Sequence, residues 1–143
     1  EALSKMLISS KGRYALRVMT VLAEHGHDDY IPLSEIAREQ EISEKYLEGI
    51  IGMLSKGGLL DGMRGKGGGY RLNRKPEEYS IGEVLRAVEG SLAPVSCMSD
   101  RNESCKRSSE CRNFPVWQKL DRLISDYFDS VTLADLAVPR DGE

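Results

Sequence analysis

Four of the five residues from Gly65 to Gly69 are glycine, and no helix or strand interior tolerates that much backbone freedom, so the middle of the chain must turn there. Leu59-Leu60 leads into Met63-Arg64 before the run and Tyr70-Arg71-Leu72 follows it, which makes a two-stranded β-hairpin. Helices precede it. Ser43 is a good N-cap, Glu44 complements the helix dipole in the first turn, and Ile42 and Leu47 stand at the two positions of a hydrophobic staple. The helix they open buries Leu47, Ile50, Ile51 and Leu54 and stops at Gly57-Gly58. Leu33, Ile36 and Ala37 recur at helical spacing up to Gln40, about three residues upstream. Two helices so separated form a helix-turn-helix, and the hairpin behind them is its wing.

The flanks fit this frame. Tyr14, Ala15, Leu16, Val18, Met19, Val21, Leu22 and Ala23 make Ser9 to Glu24 too continuously apolar for a surface helix, so it reads as a buried first helix ending in a turn from His25 to Asp29. Ile31-Pro32 is a short strand or the start of the next helix. Ser80 caps a further helix with Ile81, Val84, Leu85 and Val88 inward, ending before Gly90. From Pro94 to about Asn113 the chain is irregular and polar, and a loop of about 20 residues in a compact domain is usually functional or disordered. From Pro115, the residues Trp117, Leu120, Ile124, Tyr127, Phe128 and Val131 alternate by threes and fours along a helix of about 25 Å. That stripe needs a partner, either its own domain or, as favoured here, the same helix of a second copy. Thr132 to Ala137 reads as a short terminal helix. The expected fold is mostly α with a small β-wing: a winged helix-turn-helix domain over 6–90, a cysteine-bearing loop over 91–113, and a dimerisation helix with a short terminal helix over 114–137.

The net charge of −3 hides an asymmetry. Met6 to Lys75 holds 11 Lys and Arg against 9 Asp and Glu, whereas Pro76 to Glu143 holds 8 against 13. Within Lys56 to Lys75, Lys56, Arg64, Lys66, Arg71, Arg74 and Lys75 face one acid, Asp61, a local net of +5 that suits a phosphate backbone or is an ordinary solvated hairpin. No apolar run reaches the roughly 20 residues that span a bilayer, and Glu1 to Lys5 lack the order of a signal peptide, with Met6 read as a start behind a short leader. Three cysteines then imply a reducing, cytoplasmic compartment, where thiols are metal ligands or redox centres more often than disulfides. Their order, Cys97-x7-Cys105-x5-Cys111, has no zinc-ribbon knuckle. Three clustered thiols can fold around a metal cluster; free thiols and a zinc or disulfide site are the alternatives. The glycine run is not a nucleotide-binding loop, since the glycine-lysine-serine/threonine ending is absent. No paired carboxylates, nucleophile elbow or oriented histidine point to an enzyme.

Four segments together carry a family resemblance: Ser10-Lys11-Gly12-Arg13-Tyr14-Ala15-Leu16, Ile42-Ser43-x-x-Tyr46-Leu47-Glu48, Arg64-Gly65-x-Gly67-Gly68-Gly69-Tyr70 and Val131-Thr132-Leu133-x-Asp135-Leu136. Across nearly everything after Met6 the chain resembles the bacterial winged helix-turn-helix repressors that include IscR, NsrR and CymR, and among them the IscR-like members with three cysteines. The resemblance implies a homodimeric regulator, a repressor, on a pseudo-palindromic double-stranded DNA operator. It places Ser43, Lys45, Tyr46 and Glu48 in the major groove, Arg64 and Lys66 of the wing at the minor groove or backbone, and Ser10, Lys11 and Arg13 on phosphates. It implies an iron-sulfur cluster on Cys97, Cys105 and Cys111, 2Fe-2S ahead of 4Fe-4S, that is readily lost from purified protein. The first cysteine gap is longer than in the IscR pattern, and Phe114 stands where that pattern has a histidine. The fourth ligand is therefore open among Asp100, Glu103, Glu110, Asn113, a residue of the other subunit and an exogenous ligand. Arg13 stands where NsrR-like chains can carry an acidic ligand, which weakens a nitric-oxide role. The CymR-like branch implies an alternative: a cluster-independent regulator of sulfur metabolism that answers to a protein partner or a thiol metabolite.

Overall fold

The computed structural model describes residues 8–26, 28–94 and 112–138. Along these the chain forms α1 (Ser10–His25), α2 (Leu33–Gln40), α3 (Glu44–Lys56), β1 (Leu60–Met63), β2 (Gly69–Leu72), a single 3₁₀ turn (Pro76–Glu78), α4 (Ile81–Glu89), α5 (Phe114–Ser130) and α6 (Leu133–Leu136). No helix among the described residues is long and apolar enough to cross a membrane.

The helix starts follow the capping chemistry in the sequence. Ser43 and Ser80 accept hydrogen bonds from the Tyr46 and Glu83 amides at 3.1 and 3.0 Å, each satisfying an orphan donor of the first turn. α2 has no side-chain cap; its last turn closes on Glu41, a non-glycine residue at φ 57°, whose amide reaches the Ala37 and Arg38 carbonyls. At the end of α3 the residue with positive φ is Gly58, at 78°, one position later than Gly57.

Ile31 is both things its neighbourhood suggested. It exchanges two 2.9 Å backbone bonds with Tyr70, a one-residue third strand, and Pro32 then opens α2. β1 and β2 pair antiparallel, Leu60 opposite Leu72 and Asp61 opposite Arg71. Leu60 and Leu72 point inward, joining Ala15, Val18, Met19 and Leu22 of α1, Ile36 of α2, Leu47, Ile50 and Leu54 of α3, and Val84 and Val88 of α4 in one core.

Tyr79 closes this core. It is fully buried, and its hydroxyl accepts from the Asn73 and Arg74 amides at 2.9 and 3.1 Å. Its single proton is shared by the Leu59 carbonyl at 2.9 Å and the Asn73 side-chain oxygen at 3.0 Å. Leu59 precedes β1 and Asn73-Arg74 follow β2, so one oxygen ties both roots of the hairpin. Arg74 lies over the Tyr79 ring at 4.6 Å and forks onto Glu83 at 3.0 and 2.9 Å; this hydrogen bonding raises its pKa above the ordinary value. Burial pushes the Tyr79 phenol above its usual 10.0, against the hydrogen bonds from Asn73 and Arg74.

The end of the chain returns to the same place. The Leu133 amide donates to the Tyr79 carbonyl at 3.1 Å and the Ile81 amide to the Val131 carbonyl at 2.9 Å. Thr132 and Asp135 form a reciprocal capping box on α6, and Leu133 is completely buried. The terminal helix therefore belongs to the core built by the winged part, which the boundary drawn at residue 114 had separated from it.

Replacing Tyr79 with phenylalanine keeps the packing but strands two amides and a carbonyl, and should cost about 1–3 kcal/mol by chemical denaturation. A loss below about 0.5 kcal/mol would show that water replaces the hydroxyl. The buried neutral phenol contributes stability in full below pH 10.0 and loses it as pH rises through its raised native value, so wild-type protein should lose stability above pH 10 more steeply than Tyr79→Phe.

Candidate nucleic-acid interface

The face of α3 opposite its buried stripe is bare: Lys45, Tyr46 and Glu48 are exposed. The Ser43 oxygen is engaged as the N-cap acceptor, which leaves its proton free to donate. Tyr46 packs edge-on against Tyr14 of α1, ring centres 5.8 Å apart at 89°. Arg17 covers the Tyr14 ring at 4.8 Å and donates from Nε to the Gln40 side chain at 2.7 Å. Gln40 is the one buried polar residue among those described. Tyr14, Arg17 and Gln40 thus fasten the start of α3 to α1 and to the end of α2. The sequence places Tyr14 on the apolar first helix and Gln40 at the end of the second without linking them; Arg17, a cation within the apolar run three residues after Tyr14, is the signal that could have done so.

The start of α1 is held from the opposite side. Glu89, the last residue of α4, accepts from the Ser9 amide at 2.7 Å and the Ser9 hydroxyl at 2.8 Å, while Ser9 accepts from the Gly12 amide at 3.2 Å. A side chain at Gly12 would run into the Glu89 carboxylate. Just beyond this anchor, Ser10 and Arg13 are exposed and joined, Arg13 Nη2 donating to Ser10 Oγ at 3.1 Å, and Lys11 is half-buried.

The wing tip exposes Arg64 and Lys66. Glycine is needed most at Gly69, where φ is 143° and any Cβ would strike the Ile31 carbonyl; this close approach lets the wing root lie against the segment before α2. Not all the positive charge of this region is available to a ligand. Arg71 donates to the Asp28 carbonyl at 3.2 Å and sits 4.2 Å over the Tyr30 ring, and Arg74 is paired with Glu83. Lys56, Arg64, Lys66 and Lys75 remain exposed.

On α5 the expected stripe divides. Trp117, Ile124, Phe128 and Val131 are half-buried, with Phe128 close over Gly82 and Arg86 of α4 bound to Asp129 at 2.8 Å. The Val131 carbonyl is already taken by Ile81. Leu120 and Tyr127 are 38% and 63% exposed, and with them Val116 at 58% and Leu123 at 56%, two residues the sequence stripe omitted. Positions 116, 120, 123 and 127 form a continuous apolar row by helical spacing. Cys97, Cys105 and Cys111 lie outside the described residues, as do Asp100, Glu103 and Glu110. Asn113 precedes α5 without a side-chain cap bond, and Phe114, half-buried as its first residue, offers no ligand atom.

Comparison with known proteins bears on this geometry. The Rrf2 family, described as an iron-dependent transcriptional regulator, matches residues 8–139. The HTH-type transcriptional regulator IscR of Aliivibrio salmonicida is 38% identical over 133 residues, 93% of this chain and 78% of that protein. Among solved structures, CymR, the global cysteine regulator of B. subtilis, superposes with a TM-score of 0.74 at 34% identity, over 93% of this chain and 97% of that one. IscR of T. potens does so with a TM-score of 0.70 at 33% identity, over 95% of this chain and 88% of that one. The winged helix-turn-helix architecture, the match to nearly the whole chain and the nature of these relatives lead to one conclusion: the chain belongs to the Rrf2 family of transcriptional regulators.

Proposed function

We propose that the protein is a homodimeric, sequence-specific repressor that reads a pseudo-palindromic operator with α3 and the wing, and whose DNA affinity is set by an iron-sulfur cluster on Cys97, Cys105 and Cys111. The observation that carries the DNA part is the exposed first turn of α3, fixed through Tyr46 and Tyr14 beside the start of α1. Helix N-termini favour phosphate, and the side chains there are ones that meet base edges: Lys45 toward guanine, Glu48 toward a cytosine amino group. Ser10, Lys11 and Arg13 grip phosphates, and Arg64 and Lys66 extend the contact from the wing.

Three thiols supply three ligands of a cluster, 2Fe-2S in preference to 4Fe-4S, and the family description as iron-dependent supports that reading. Phe114 has no donor, so the fourth ligand comes from elsewhere: Asp100, Glu103, Glu110, Asn113, a residue of the other subunit or an exogenous ligand. When bound, the cluster supplies redox and assembly-dependent charge at this segment. The segment itself joins the end of α4 to the start of α5, so a change in its length or stiffness alters how α5 sits on α4. The row Val116, Leu120, Leu123 and Tyr127 is the surface for the second copy, which sets the spacing of the two α3 helices on half-sites about one helical turn apart. One observation favours a second reading: the likeness to CymR covers 97% of that regulator. On that reading the protein answers a thiol metabolite or a partner protein without holding a cluster, and the response does not depend on the three cysteines.

On a duplex selected from a random pool, Arg64→Ala should cost about 1–3 kcal/mol and relax specificity, whereas Lys11→Ala should weaken all sequences alike and flatten the salt dependence by about one unit. Negligible effects from both would refute the placement. Protein purified without oxygen should absorb in the visible range and carry iron and sulfide; a colourless, iron-free product even after reconstitution would sink the cluster, and triple Cys→Ser protein with unchanged DNA response would select the second reading. Leu123→Asp, at an exposed site where the protomer fold is not at stake, should give monomers on sizing; an intact dimer would move the interface off this row.

A further inference from the structure

Apart from the residues discussed above, His25, Glu35 and Glu39 bring one imidazole nitrogen and two carboxylate oxygens within 4.8 Å of one another. His25 is the last residue of α1. Glu35 and Glu39 are four residues apart on α2, so both fall on one face of that helix, and like charges at this spacing repel. The His25 Nε2 is buried and makes no hydrogen bond; Glu39 Oε2 lies 3.5 Å from it. A buried ring nitrogen without a hydrogen bond is costly.

We propose that His25, Glu35 and Glu39 bind a first-row divalent cation. Imidazole and carboxylate together suit zinc-class ions, whereas calcium and magnesium prefer all-oxygen sites and copper(I) prefers sulfur. Metal-ligand bonds of about 2.0–2.2 Å place tetrahedral ligands about 3.3 Å apart. The widest pair in the trio therefore closes by at most about 1.5 Å, a movement that rotation of a half-exposed glutamate side chain provides. Three protein ligands leave the remaining position to water. The ion would satisfy the buried nitrogen and staple the end of α1 to α2, the first helix of the helix-turn-helix.

The test uses the full chain with its thiols blocked by iodoacetamide, so that the cysteines cannot take the metal. Titration with Zn²⁺ by calorimetry and with Co²⁺ by visible absorption should give one equivalent, with a cobalt spectrum free of sulfur charge-transfer bands. His25→Ala and Glu35→Gln should each bind at least about tenfold more weakly, and Zn²⁺ should raise the melting temperature of the wild type more than that of either variant. Glu35→Gln keeps side-chain size at a partly exposed position and decides the matter if His25→Ala does not fold. Absence of an equivalent in the wild type, or equal binding by wild type and a folded variant, would overturn the site.

Discussion

One phenolic oxygen holds the winged half of this fold in register. A two-stranded hairpin is marginal in water by itself, and here its roots, Leu59 on one side and Asn73-Arg74 on the other, are gathered onto the Tyr79 hydroxyl. The same residue presents its carbonyl to Leu133, so the wing, the start of α4 and the terminal helix are fixed from one point. In the dry interior such bonds are strong, and each broken one leaves a polar group with no solvent to turn to. The wing tip can be glycine-rich and pliant because its base is not.

Local chemistry was readable in the sequence, and long-range chemistry was not. The caps at Ser43 and Ser80, the staple of Ile42 and Leu47, and the glycine turn announce themselves within a few residues, because helices and hairpins are closed by their neighbours. Tyr79 stands in a polar stretch between Glu78 and Ser80 and carries no periodicity; its role depends on carbonyls and amides 5 to 20 residues away. The basic stretch from Lys56 to Lys75 misled in part for the same reason. Counting charges cannot show that Arg71 leans on Tyr30 or that Arg74 forks onto Glu83, nine residues ahead.

The α5 face was legible to the nearest third of a turn. Period and length gave the helix, but the α4 residues that cover Phe128 and hold Asp129 decide which apolar side chains the protomer uses and which it leaves bare. The terminal motif Val131-Thr132-Leu133-x-Asp135 was recognised as a pattern before its cause was visible. Its cause is a capping box, a core leucine and a backbone bond to Ile81, all in six residues.

α4 touches two different things at its two ends. Near its start Gly82 receives Phe128, and one turn on Arg86 grips Asp129; at its finish Glu89 holds Ser9. The helix spans seven residues between Gly82 and Glu89, about 10 Å of stiff backbone. α4 therefore connects the surface that receives α5 to the first turn of α1 without passing through α3. On the proposed interface, such a lever would change the purchase of the protein on the sugar-phosphate track, and so its grip strength and salt sensitivity, while the alphabet read by α3 would stay the same.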